Sequence, residues 1–456
     1  MSAQSLRQAA IEWLDCMKGR VQAAERFERS GRVIEVAGVS VNAIGPPAEV
    51  GELCLIHRAS DNTIPAQVAG FARGTLVLLP LGRAERIYPG ARVTATGHGP
   101  RVPVGEGLLG RVIDAMGAAL DGGGPPRASG YRSTVAPPPG PLERSRIEEP
   151  LHVGVRAIDG LLAIAKGQRV GIFAGSGVGK SSLLGMMARH SNAEVNVIAL
   201  IGERGREVGE FIDRRLGADL KRSVVVVATS DQPPMLRLQA GLAATAIAEH
   251  FRDEGRHVLL MMDSLTRLAR AQREIGVAAG EPPASQGYPP SAFALLPELL
   301  ERAGPGASGT ITGLYTVLVE RDDMQDVVAD IARATLDGHI VLSRELAQAN
   351  HYPAIDILSS VSRLMRQVAP AEAVRAAASF RDLYATYHDA RDLLAVGAYR
   401  PGGNATLDRA VALMPAMKAF LRQGSDEEAV PRSTTDRLVA LMTDEGSDAA
   451  SSENPT

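Results

Sequence analysis

Residues Ala174 to Ser182 read AGSGVGKSS, a set of residue types suited to holding phosphate. Gly175, Gly177 and Gly179 let backbone N–H groups turn inward around anionic oxygens. Lys180 carries a point charge on a flexible stem toward β- and γ-phosphates, and Ser181 offers a hydroxyl to Mg²⁺. The apolar run QRVGIFA leads in and a helical pattern leads out, so the positive end of a helix joins the anion site. The pattern GxxxxGK[ST] is broken only at its first position, where Ala174 stands in place of glycine; the three glycines that follow supply the turn. On this reading Gly175, Ser176, Gly177, Val178, Gly179, Lys180, Ser181 and Ser182 bind the phosphates of ATP.

Two acidic residues have the placement that phosphoryl chemistry needs. HVLLMMDS is an apolar strand ending in Asp263, and a carboxylate at the end of a buried strand beside a phosphate loop can hold the water shell of Mg²⁺. A strand-end Asp also serves often as a helix cap, so the pairing with the glycine loop is what gives it meaning. VNVIALIGERGREV supplies a second strand leading to Glu203, the candidate for orienting and polarising the attacking water. Arg204 and Arg206 follow it closely and are placed to hold Glu203 or touch a γ-phosphate; a purely structural Glu–Arg pair is the plainer alternative.

These residues need a scaffold. The chain has 456 residues, 45% hydrophobic, 22% charged and only 4% aromatic, with a net charge of −3. Its core must be built from Val, Leu, Ile, Ala and Met, which suits a buried parallel sheet. Strand-like runs QRVGIFA, VNVIALIGE, SVVVVATS, HVLLMMD and TITGLYTVLVE alternate with helical segments such as SSLLGMMARH and LQAGLAATAIAEHFRDEG, which predicts a sheet with helices on both faces. Ahead of it, RVIEVAGVSVNAI, ELCLIHR, TIPAQVAGF, TLVLLPL and ARVTATG are short strands between turn signals and predict a small closed barrel.

The remaining segments divide as follows. Residues 1–28 contain an amphipathic helix over 5–26, with Leu6, Ala10, Trp13, Met17 and Val21 at helical spacing; packing on its own domain and binding a partner stay equally open. The barrel occupies 29–97 and the core 98–368. Within the core, the Gly/Pro-dense stretch 122–141 is expected as a long irregular surface connection. Residues 369–423 are Ala/Leu-rich and helical, and 424–456 are expected as a polar, acidic, disordered tail.

Some functions are disfavoured. The near-neutral charge gives no reason to propose nucleic-acid binding. Cys16 and Cys54 match neither a disulfide framework nor a metal spacing. No stretch of 18 apolar residues exists to span a membrane, and the N-terminus lacks an apolar signal core. A cytoplasmic location is expected.

Taken in order, AGSGVGKS, GERGREV and MDSLTRLARAQREIG closely resemble the ATPases of type III protein export, flagellar and injectisome, with the rotary ATPase catalytic subunits as wider kin. The resemblance continues through LLGRVIDAMGAALDG, GEPPASQGYPPSAFALLPELLERAG, LDGHIVLSRELAQANHYPAIDILSSVSR and LLAVGAYRPGGN, over roughly residues 30–423. It implies a RecA-like core, a β-barrel collar, a helical C-terminal domain and a homohexameric ring. It also implies roles by position: Lys180 and Ser181 as phosphate and Mg²⁺ ligands, Glu203 as the catalytic carboxylate with Arg204 beside it, and Asp263 as the metal acid. Tyr352 in NHYPAID would stack on adenine, and Arg363 in SSVSR would complete a neighbouring subunit's site. Implied partners are a stator-type regulator, export chaperones and substrates, and the membrane export gate, with the ATPase peripheral to the inner membrane. One departure concerns Ser285 and Gln286, where relatives usually carry Thr followed by Arg or Lys.

Three functions compete on these residues. An export ATPase fits throughout, and the texture of GSGVGKSSLLGMMAR and of the C-terminal segment favours flagellar over injectisome use. A hexameric nucleic-acid motor would need a basic, aromatic-studded barrel, whereas residues 31–97 offer chiefly Phe71 and Tyr88. A non-catalytic rotary subunit could dispense with the catalytic carboxylate, yet Glu203 is present. Glu203 and Arg363 in one chain favour a homo-oligomer.

Overall fold

The computed structural model describes residues 30–59, 62–319 and 326–443, together with Trp13 and Met17. The amphipathic helix expected over 5–26 therefore lies almost wholly outside the described residues. The chain divides into two compact units, the first reaching Leu78 and adding Ala84–His98, the second made of Leu79–Arg83 and the chain from Gly99 onward.

The first unit is a closed barrel of six strands: β1 (Ser30–Ala37), β2 (Ser40–Ile44), β3 (Leu53–His57), β4 (Thr63–Ala72), β5 (Thr75–Pro80) and β6 (Arg92–Ala95), in the order β1-β2-β5-β4-β3-β6. The run RVIEVAGVSVNAI is two strands rather than one. Gly38, at φ 60°, reverses the chain so that Ala37 pairs with Ser40. Val33, Val41, Cys54, Ile56, Ala66, Val68, Leu78 and Val93 fill the interior, small and branched side chains for a narrow lumen. Burial, with Glu52 adding to it, pushes the Cys54 thiol up to about 11, so it behaves as a small apolar core residue.

In the second unit, β7 (Arg101–Val104) pairs with β9 (Gly130–Ser133), and β10 (Pro150–Leu151) pairs with β11 (Ile164–Ala165). The large sheet comprises β8 (Arg111–Asp114), β12 (Arg169–Ala174), β13 (Val195–Ile201), β14 (Ser223–Ala228), β15 (His257–Asp263), β16 (Gly304–Pro305), β17 (Thr310–Leu318), β18 (Gly338–Leu342) and β19 (Ile355–Ser362). Its order is β19-β18-β12-β17-β15-β13-β14-β8, with β16 on β17. The chain runs parallel from β18 to β8, and β19 closes one edge antiparallel. Every residue of β13, β14 and β15 is buried, because helices cover both faces. Ile198, Leu200, Val225 and Val227 join the core formed with the helix Lys180–His190. On the other face, a Cβ on Gly241 would lie 2.3 Å from Leu268 of the helix Leu265–Ala278 and 3.2 Å from Ile201 of β13, so the helix Pro234–Asp253 packs its backbone closely there.

Two expectations are corrected. The Gly/Pro-dense stretch 122–141 is not irregular throughout: β9 lies within it, and Thr134 is fully buried, donating no exposed loop surface but holding Gln239 and Arg302. The segment from Gly424 is not a disordered tail over its first part. Beyond the helices Ala371–Asp389 and Ala405–Leu421, a further helix spans Pro431–Met442, with Leu438 fully buried and Thr434 and Met442 nearly so. Polar composition concealed it, since only one narrow stripe of this helix is apolar. Residues 444–456 lie outside the described residues.

Candidate active site

The glycine loop sits at the C-terminal end of β12, and the helix Lys180–His190 starts on its last residue. Gly177 at φ 80° and Gly179 at φ 94° take conformations that a side chain would strain. Ser181 is exposed in the first turn. Parallel register brings the other candidates to the same end of the sheet: Leu200 pairs with Asp263, and Met262 with Tyr315. Asp263 thus lies beside Thr316, whose hydroxyl donates to Asp263 Oδ1 at 2.7 Å.

Lys180 Nζ donates to Asp263 Oδ1 at 2.5 Å and to Glu203 Oε1 at 3.4 Å. Both carboxylates are almost fully buried, at 3% and 8% exposure. Burial, then the neighbouring Asp263 charge, pushes Glu203 up to about 7, while Lys180 and Arg267 pull it back. A carboxyl group poised there can hold or release a proton near neutrality.

Three functional contacts were not assigned from the sequence. Arg267, in the helix Leu265–Ala278, donates to Glu203 Oε2 at 3.2 Å and to the Gly202 carbonyl. Glycine is needed at 202, since a Cβ there would lie 2.8 Å from Arg267 Cδ. Thr316 orients Asp263, and Glu207 stands near enough to Glu203 to raise its proton affinity. Arg267 stands in the first turn of the helix that leaves the strand carrying Asp263, with Ser264 as its cap, and that closeness in sequence is the signal that would have found it. Arg204, placed in the site by sequence, is instead exposed and pairs with Glu207 at 3.7 Å; Arg267, not Arg204 or Arg206, holds Glu203.

Tyr352 lies close to the loop: its ring atoms come within 3.5 and 3.6 Å of where a Gly179 Cβ would be. Tyr352 is 42% exposed, so part of it is open to a partner. Arg363 follows β19 at the opposite end of the sheet from the glycine loop. Ala174 pairs with Leu342 and Leu342 with Ile355, whereas Ser362 pairs with Gly338. Four residues of β18 therefore separate the two levels, about 13 Å along the strand. Arg363 is exposed and donates weakly to the Arg333 carbonyl at 3.4 Å. At Ser285–Gln286, the Gln286 side-chain oxygen accepts the backbone N–H of Val327 at 3.3 Å, a contact that a Lys or Arg could not make.

Asp263 and Ser181 are hard oxygen donors, few in number, and such a pair fits Mg²⁺ shared with phosphates. Fold and site together define a P-loop nucleotide-binding protein. The ATP synthase alpha/beta family, nucleotide-binding domain, matches residues 154–362, and the T3SS EscN ATPase C-terminal domain matches residues 369–440. The flagellum-specific ATP synthase of Bacillus subtilis is 50% identical over 95% of this chain and 98% of its own. The type 3 secretion system ATPase of Xanthomonas euvesicatoria is 49% identical over 91% and 95%. The assembled ATPase EscN from the enteropathogenic E. coli type III secretion system superposes with a TM-score of 0.87 at 44% identity, covering 91% of this chain and all of that one. This chain belongs to the family of flagellar and type III secretion ATPases.

Proposed function

We propose that the chain hydrolyses Mg-ATP as a homohexameric ring and energises type III protein export, in a flagellar system, from the cytoplasmic face of the membrane. Among the described residues no helix is long and apolar enough to cross a membrane. The observation that carries the proposal is the division of the machinery. Lys180, Glu203 and Asp263 meet at one end of the sheet, and Arg363 stands exposed at the other end, just past the edge strand β19. A single chain has the cradle and the acids, and a neighbour's Arg363 completes the site.

In this reading Lys180 gives up its carboxylate partners and turns to the β- and γ-phosphates, and Tyr352 stacks on the adenine. Ser181 and Asp263 would hold Mg²⁺, which neutralises charge on the transferring phosphoryl group. Glu203, steadied by Arg267, orients the attacking water and takes its proton. Arg363 of the adjacent subunit stabilises the equatorial oxygens, a contribution on the order of 10³–10⁵ in rate. The solved relatives include EscN assembled and EscN in complex with its central stalk EscO, which supports a ring and a stalk-like partner here. Flagellar use is supported by relatives named flagellum-specific ATP synthase at 50–51% identity in Bacillus subtilis, Pseudomonas aeruginosa and Salmonella typhimurium. A stator-type regulator, chaperones, export substrates and the export gate are the partners this reading assigns.

Mixing two inactive variants tests it. Arg363→Ala retains the cradle and Lys180→Ala retains the arginine, so mixed rings should recover part of the ATP turnover. Absence of recovery in rings proven to contain both variants would sink the shared site.

A further inference from the structure

The segment Phe420–Ala429 ties the C-terminal helices to the backbone of Tyr352 and to the far end of the helix that follows the glycine loop. Gln423 stands at its centre, 6% exposed. Its Oε1 accepts the Arg156 backbone N–H at 2.8 Å, and its Nε2 donates to the carbonyls of Gly154 at 2.7 Å and Glu427 at 2.6 Å. Its own backbone N–H donates to the Tyr352 carbonyl at 2.9 Å. The side chain thus locks the peptide that fixes the backbone of Tyr352.

Neighbouring contacts strengthen the same lock. The buried Arg156 guanidinium donates to the carbonyls of Phe420 at 3.0 Å and Arg422 at 2.5 Å and pairs with Glu427. Arg189, in the last turn of the helix that the glycine loop opens, donates to the Ser425 carbonyl at 2.5 Å. Gly154 packs against that same helix end, where a Cβ would lie 2.3 Å from His190 Cβ. One loop therefore grips the far end of the phosphate helix on one side and the backbone of Tyr352 on the other.

We infer that Gln423 is a positioning residue for nucleotide affinity: it sets the Tyr352 ring over the base and transmits displacement of the C-terminal helices to that ring. The inference rests on the proposed stacking role of Tyr352. Lys180, Glu203 and Asp263 bond to no part of Phe420–Ala429, so the chemistry of the phosphates should be insulated from a change at Gln423. Base stacking is made equally in the ground and transition states, and losing it raises KM while leaving kcat in place.

The experiment is steady-state ATP hydrolysis by assembled full-length protein carrying Gln423→Leu, Tyr352→Ala or both. Gln423→Leu should raise KM roughly five- to tenfold with kcat within about twofold of wild type. The double variant should have a KM no higher than Tyr352→Ala alone, since both changes remove one contact. Glu427→Gln, at an exposed side chain, and Arg156→Lys loosen the same loop more gently and should raise KM in the same direction if Gln423→Leu does not fold. A normal KM in folded Gln423→Leu, or in both gentler variants, overturns the inference, as do additive effects in the double variant or a fall in kcat with KM unchanged. If Tyr352→Ala itself has normal KM, the stacking role fails and the inference fails with it; a raised KM in Tyr352→Ala beside a normal one in Gln423→Leu rejects only the positioning role.

Discussion

Lys180 Nζ and Asp263 Oδ1 are 2.5 Å apart, although 83 residues separate them in the chain. The lysine of the glycine loop is thus the counter-ion of two buried carboxylates, and its removal has two consequences. In Lys180→Ala, Asp263 and Glu203 face each other without their shared partner. Breaking a buried pair this way costs about 3–5 kcal/mol, so nucleotide-free Lys180→Ala should unfold at a clearly lower temperature than wild type. Turnover should also fall by more than about tenfold, the equivalent of roughly 1.4 kcal/mol of barrier. A variant with near-normal hydrolysis would remove Lys180 from the chemistry.

Glu203 yields a pH prediction. Its folded value of about 7 stands above the ordinary 4.5, chiefly because it is buried beside Asp263. The folded chain keeps a proton between those values that the unfolded chain has lost. The associated stability is complete below about 4.5 and disappears as pH rises through 7. Glu203→Gln carries no such charge, so its melting temperature relative to wild type should climb between pH 5 and pH 8, by the equivalent of about 1–3 kcal/mol. It should bind Mg-ATP nearly normally and hydrolyse it very slowly. Thermal scans giving the same offset at both pH values would exclude a raised Glu203, and loss of ATP affinity along with rate would make it a structural partner.

Arg267 holds Glu203 and lowers its proton affinity. Arg267→Ala should therefore shift the limb of kcat that rises with pH to higher pH and reduce kcat at neutral pH, by at most the roughly 10²–10⁴-fold that general-base catalysis contributes. Arg204→Ala, at an exposed residue paired with Glu207, should leave that limb where it is. The two pH–rate profiles decide the matter; a shift with Arg204→Ala alone would reverse the assignment.

Truncation after Gln423 removes the helix Pro431–Met442 and with it Leu438, buried against the second unit's core. Burying a Leu side chain is worth about 1.5–3 kcal/mol, and the loss of Arg156's partner Glu427 adds to it. The truncated chain should melt several degrees below wild type by circular dichroism.

Much of this architecture was readable from residue order because its signals are local. A glycine loop between an apolar strand and a helix, runs of Val and Leu too apolar to face water, and short strands at turn-spaced intervals each state their own conformation. Lys180, Glu203, Asp263 and the barrel could be placed on that basis, and the family resemblance added Tyr352 and Arg363. Other features depend on the register between distant strands. Whether Arg204 or Arg267 reaches Glu203 turns on the direction in which two helices leave β13 and β15, and nothing in GERGREV states it. Thr316 becomes a partner of Asp263 only because β17 lies parallel to β15 at one offset. The helix Pro431–Met442 looks like solvated tail until Phe420 and Gly160 provide the surface that buries its narrow stripe. Residue chemistry dictated which groups suited to phosphate, metal and proton this chain carries; long-range packing decided which of them meet, since a buried charge settles on whichever partner the sheet brings within hydrogen-bonding distance.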